Sequence, residues 1–308
     1  MKWLRVLVLF LLGCVMVVTQ AMAVNVVFQP VAEGVYVFIG ETNGRTYDNE
    51  GLNANIGLVV TAKGAVLIDA GSSFQSARKI HEAAKRVTHE PVKWVINTGG
   101  QDHRWLGNGY FQSQGIETIA HVGARADMNA RASEHMAGLK VLKEKLDGTV
   151  PTLPHRWVEG ANTQLELGGV MFELKYRHGG HTPGDMLVWL PQKKVMFTGD
   201  VVYVDRVLGL HAVSRTKTWL DSFAVIDEIQ PAILVPGHGR VTDVATAQMQ
   251  TRDLLLALRQ HMQKALDDGV EMNAAIKSFD AKPFVHLTHA DVWIPQLANQ
   301  TYLEMERE

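Results

Sequence analysis

The sequence predicts an α/β fold built on two sheets, and three patterns predict it. Short apolar segments of strand length alternate with amphipathic helical spacing through the first half, as in residues 65–68, 73–87, 92–96, 116–120 and 122–146. The second half opens with four strand-length runs, residues 164–167, 170–174, 186–190 and 195–197, joined by short Gly or Lys turns. Finally, several of these runs end in polar, Gly-rich turns that carry Asp or His, and the carboxyl ends of strands are where α/β sheets place ligand sites.

Taken in order, residues 1–23 read as a signal peptide. Lys2 and Arg5 form a basic start, residues 6–18 are apolar, and Ala21-Met22-Ala23 is a small-x-small cleavage site. Leu11-Leu12-Gly13-Cys14 offers a rival reading as a lipid-attachment box, against which the apolar residues after Cys14 argue. The apolar run is too short for a membrane span, and the mature chain, starting near Val24, is expected in the periplasm or outside the cell. It then contains no cysteine, so neither a disulfide nor a thiolate ligand is available.

Residues 24–308 are enough for one large domain or two halves of one, with no linker to divide them. A formal charge of −2 argues against a nucleic-acid partner and leaves a small-molecule substrate; it says nothing of oligomeric state. Residues 35–39 and 55–60 are strands around a polar loop, 40–54, that is either a flap or a solvated hairpin. In the helix over 73–87, Ile80, Ala83, Ala84 and Val87 face inward while Lys79, Glu82, Lys85 and Arg86 face out. Residues 219–229 form a further helix, 232–235 the last strand, and 242–269 and 288–307 closing helices.

The turn after residues 92–96 reads Asn97-Thr98-Gly99-Gly100-Gln101-Asp102-His103, and three later turns share its character: Gly180-His181-Thr182-Pro183-Gly184-Asp185, Thr198-Gly199-Asp200 and Pro236-Gly237-His238. With Leu67-Ile68-Asp69-Ala70-Gly71, their order and spacing resemble the metallo-β-lactamase superfamily from about Val31 to the C-terminus. That resemblance implies a four-layer αβ/βα sandwich. It also implies metal ligands in these turns and a supporting role for Asp69 behind them.

One turn departs from the family pattern His-x-His-x-Asp-His. Counting forward from Thr98, its first two histidines fall at Gly99 and Gln101; counting back from Asp102, they fall at Thr98 and Gly100. Of the first metal site only His181 then remains, whereas Asp102, His103, Asp200 and His238 would hold a single ion, Zn²⁺ first, with Fe²⁺ and Mn²⁺ as alternatives. The implied activity is hydrolysis of an ester, thioester or amide, including a lactam, with Asp102 and His181 as catalytic residues and His181 either a proton acceptor or a wall of the pocket. The rival class is a non-catalytic relative acting as a binding or accessory protein. Softer signals, Trp105-Leu106-Gly107-Asn108 and the tail 299–304, resemble periplasmic metallohydrolases associated with sulfur oxidation and quinoprotein dehydrogenases.

His211, Ser214, Arg215 and Lys217, after Asp200, are candidates for holding a substrate anion. Trp105 is expected to pack rather than line the pocket, and His81, His121, His178, His286 and His289 to be structural.

Overall fold

The computed structural model describes residues 24–308; the expected signal peptide and its lipid-box alternative lie outside the described residues. One sheet holds seven strands in sequential order: β1 (Gln29–Ala32), β2 (Val35–Phe38), β3 (Ile56–Thr61), β4 (Gly64–Ile68), β5 (Val92–Ile96), β6 (Glu117–His121) and β7 (Arg156–Val158). The second has five, from one edge β8 (Asn162–Leu167), β9 (Val170–Tyr176), β10 (Met186–Leu190), β11 (Val195–Phe197) and β12 (Ile233–Val235). The short edge strands β1 and β7 carry no alternating apolar pattern, and the sequence gives no sign of them.

Strand alternation sorts the core into layers. On β4, Val66 and Ile68 face the second sheet and meet Val188, Phe197 and Val235, while Ala65 and Leu67 face outward. The outward side of the first sheet is covered by α1 (Phe74–Val87), whose Ala77, Ile80 and Ala84 pack there as its spacing predicts. Ser73 caps this helix reciprocally with Ser76. On the second sheet Leu187, Met196 and Leu234 face away from the first, under three helices, Thr216–Ile229, Asp253–Asp267 and Ala290–Met305. The result is helix, sheet, sheet, helix, the four-layer sandwich expected. The two sheets approach so closely that a Cβ at Gly57 would enter the Phe197 ring.

No helix among the described residues is long and apolar enough to cross a membrane. Loop 40–54 is tied down: Glu50 is buried against Lys79 and, at 3.3 Å, Lys145. Asn55, just beyond it, donates to the carbonyls of Pro236 and Gly239, each at 2.8 Å. Through Arg45 and Asn53 the loop forms part of a cavity wall.

Candidate functional site

Parallel pairing at the middle of each sheet builds the site. In β4 and β5, Ile68 is paired with Ile96, so the turns that follow bring Asp69 against Thr98. Asp69 accepts from the Thr98 amide at 2.7 Å and the Thr98 hydroxyl at 2.9–3.0 Å. In β11 and β12, Phe197 is paired with Val235, so Asp200 and His238 leave the second sheet side by side. A hydrogen bond from the Met186 amide to the Thr98 carbonyl, 2.8 Å, joins the turns of the two sheets.

Around Asp200 the structure gathers His103 and His238. One donor atom from each of the three lies within 4.8 Å of the other two, and all three residues are buried. His103 Nε2 is 3.1 Å from Asp200 Oδ2, and His238 Nε2 is 3.1 Å from Asp200 Oδ1. His238 Nδ1 lies 2.7 Å from the Asn53 carbonyl, which can only accept, so this nitrogen carries the ring proton. Burial, with the Arg206 cation beside it, holds His238 well below the ordinary imidazole range, so the ring is neutral. Its Nε2 lone pair therefore points at a carboxylate oxygen. Burial would raise the Asp200 carboxyl, but the Arg104 guanidinium beside it overcomes this and keeps it ionised. Two electron-rich atoms facing at 3.1 Å in a buried site fit a cation between them, and the donor set suits a metal of borderline softness.

Asp102 is the predicted ligand that the structure does not bring into this group. Its Oδ1 lies 3.0 Å from His103 Nδ1, on the side of the ring remote from Asp200, and is paired with Arg45. Burial favours its neutral form, but Arg45 and His103 hold the carboxyl well below its usual range. Arg45 Nη2 lies 3.1 Å from the same ring nitrogen, and Asp102 also accepts from the His103 amide at 2.7 Å, so Asp102 and Arg45 together fix His103.

The forward count from Thr98 explains the exchange. Carried to its end, it places the pattern's acid at His103 and its last histidine at Arg104. Arg104 is 1% exposed, with Nη2 at 2.7 Å from Asp200 Oδ1, Nε at 3.2 Å from Asp200 Oδ2 and Nη1 at 2.8 Å from Asp69. The sequence reading passed over it. Its signal was an arginine immediately after an Asp-His pair in a turn expected to be buried.

The neighbouring berth, where the family's first ion would sit, is filled from elsewhere. A Cβ at Gly99 would overlap the Asp185 carboxylate, and one at Gly100 would come within 2.7 Å of Asp127 Oδ2. Asp127 is held by Arg131, whose Nη1 also reaches Gln101 Oε1 at 3.3 Å, while Gln101 Nε2 lies 3.2 Å from Asp102. Burial and the charge of Asp200 push the Asp185 carboxyl up to about 8, so it is protonated at neutral pH. His181 remains: it is buried and held well below its ordinary range by that burial, with its Nδ1 3.5 Å from Asp200 Oδ2 and no hydrogen-bond partner.

His103, His181 and His238 open on a cavity of about 200 Å³ that Arg45, Arg206 and His211 also line. His211 was foreseen, and its ring lies edge-on to His181 with centroids 5.0 Å apart. Ser214 instead donates to the His181 carbonyl at 2.7 Å, exposed Arg215 turns back onto loop carbonyls, and exposed Lys217 faces Glu308. Trp105 is fully buried and donates to the Gly100 carbonyl at 2.9 Å, bracing the turn from behind. His81 bonds the Tyr110 hydroxyl, His121 stacks on Tyr176, and His178 and His286 are exposed; His289 stacks on Trp293 beside the cavity. Arg45 and Arg206 carried no motif of their own.

The family model described as Metallo-beta-lactamase superfamily matches residues 49–238. A metallo-beta-lactamase type 2 of Elizabethkingia meningoseptica is 26% identical over 269 residues, covering 86% of this chain and 98% of the relative. A solved metallo-beta-lactamase from Pontibacter korlensis superposes with a TM-score of 0.60 at 23% identity, over 75% of this chain and 99% of its own. The sec-alkyl sulfatase PisA1, as a double mutant, gives 0.73 at 15% identity, over 91% of this chain and 50% of its own.

Proposed function

Because this chain belongs to the metallo-β-lactamase superfamily, a family of metal-dependent hydrolases, we propose that it is an exported hydrolase working with one metal ion held by His103, Asp200 and His238. The observation that carries this reading is the unprotonated Nε2 of His238 facing Asp200 at 3.1 Å. With two imidazoles and a carboxylate as donors, zinc is the metal that fits first. Bound there, the ion would supply an acidified water and polarise the bond to be cut.

The chain's own residues do the rest. The Asn53 carbonyl and the Asp102 carboxylate aim the two imidazoles. Arg104 fixes both oxygens of Asp200. His181, neutral and with Nδ1 unpartnered, is the group placed to accept a proton at the cavity floor. An ester, thioester, amide or lactam is the bond class this arrangement serves. Removal of residues 1–23 on export completes the proposal, and N-terminal sequencing of the periplasmic form tests it.

A second reading is favoured by Arg104. A guanidinium already bound to both Asp200 oxygens competes with any ion for that carboxylate, which suits a binding or accessory protein. Metal content and hydrolysis of generic esters, thioesters and lactams separate the two. The hydrolase reading expects close to one equivalent of zinc, its loss in His238→Ala, and a fall of about 10–100-fold in affinity or activity in Asp102→Asn, the range for groups behind the ligands. A metal-free, inert wild type would establish the accessory reading instead.

A further inference from the structure

Three arginines stand at the site, and two are paired. Arg45 meets Asp102, and Arg104 meets both Asp69 and Asp200. Arg206 is 4% exposed, and no carboxylate forms an ion pair with it among the described residues. Its Nε has no hydrogen-bond partner, and Nη1 has only a 3.4 Å approach to His238 Nδ1, a nitrogen whose proton is committed to Asn53. Aromatic faces hold the guanidinium in place, with the Trp293 centroid at 4.4 Å and the Tyr203 centroid at 5.6 Å. Arg206 lines the same cavity as His103, His181 and His238.

A buried, ring-clamped guanidinium with free donors is costly unless something completes it. A guanidinium keeps its charge at neutral pH. Counted without any ion, the three arginines balance Asp69, Asp102 and Asp200; a divalent cation would leave an excess of positive charge at the cavity.

We propose that Arg206 is an oxyanion handle: the ligand of this cavity carries a carboxylate, sulfate or phosphate group that the Arg206 fork binds beside the His103–Asp200–His238 cluster. A planar fork of N–H donors matches such groups through two parallel hydrogen bonds, which a lysine cannot reproduce. The handle needs no catalysis; only the statement that its ligand is a hydrolase substrate rests on the function proposed above.

The test is an anion titration that uses Trp293 as a reporter. Acetate, sulfate and inorganic phosphate, each balanced against chloride at constant ionic strength, are added to wild type, Arg206→Met and Arg206→Lys while tryptophan fluorescence and Tm are followed. At least one oxyanion is expected to shift both signals in wild type, with binding weakened tenfold or more in Arg206→Met and to an intermediate degree in Arg206→Lys. The anion that acts at the lowest concentration identifies the group carried. Equal responses in wild type and a folded Arg206→Met, or no response to any oxyanion in wild type, would overturn the handle. Should Arg206→Met fail to fold, an Arg206→Lys variant that binds as tightly as wild type would overturn it too. Comparing KM for an anionic and a neutral ester of the same alcohol then separates the two proposals: inactivity on both esters with intact anion binding defeats the hydrolase and leaves the handle standing.

Discussion

The two flanks of Asp200 differ in what faces it. On one flank His103 and His238 converge on its oxygens, each ring aimed from behind by Asp102 or Asn53. On the other, Gly99, Gly100 and Gln101 stand where ligands would be expected, and the space is taken by Asp185, by Asp127 with Arg131, and by a lone His181. The first flank is electron-rich and open to the cavity. On the second, Asp127 is paired with Arg131 and Asp185 with Thr182, while His181 still lines the cavity with its Nδ1 unpartnered. On this flank the histidines are missing and the space beside Gly99 and Gly100 is also occupied, so a side chain added there would meet Asp185 or Asp127.

The largest effect is expected where the flanks meet. Asp200→Asn removes the charge that pairs with Arg104 and receives both imidazoles, leaving a fully buried guanidinium with Asp69 as its one remaining acid. Breaking a buried ion pair from one side costs about 3–5 kcal/mol. Urea denaturation should show a loss of that order, together with loss of bound metal. A variant as stable as wild type would mean that Asp69 alone carries Arg104.

A smaller effect probes the second flank. Gly99→Ala places a methyl group against Asp185, an overpacking worth about 1–3 kcal/mol. If contact with Asp185 is the cause, combining Gly99→Ala with Asp185→Ala should recover part of the loss, with a coupling of about 0.5–3 kcal/mol in a double-mutant cycle. Additive losses would place the strain elsewhere. Gly99→His should likewise gain no second equivalent of zinc.

Much of this was legible in the sequence. Strand and helix periodicity located the central strands and α1, because each buries a face whose repeat the chain must display. His103, Asp200 and His238 stood in polar turns at strand ends whose order and spacing resemble the family's, and the structure brings the three together. Asp102 was expected among the ligands and lies on the far side of His103, and Arg104 carried no expectation. Asp102 opens the short helix Asp102–Trp105 behind His103 and beside Arg45, whereas His103 and Arg104 both reach Asp200. Arg45 and Arg206 were hidden for another reason: their roles come from loops that only the folded chain brings to the cavity.

The most gradual effect concerns protons on the second flank. Asp185 accepts from the Thr182 amide at 2.6 Å and is paired with the Thr182 hydroxyl, which itself accepts from the Gly100 amide at 3.0 Å. Burial and Asp200 push its carboxyl from 3.8 in an unperturbed chain up to about 8. Between those values the folded protein holds a proton that the unfolded chain has released, so this contribution to stability is complete below about 4 and fades as pH rises through about 8. One such proton gives a slope of at most about 1.4 kcal/mol per pH unit. Asparagine keeps the shape and a donor but cannot ionise. Asp185→Asn should therefore lack this one falling contribution, and its unfolding free energy minus that of wild type, taken at pH 5, 6.5 and 8 so that the other groups cancel, should grow steadily with pH. Parallel profiles would mean that Asp185 is already ionised at neutral pH.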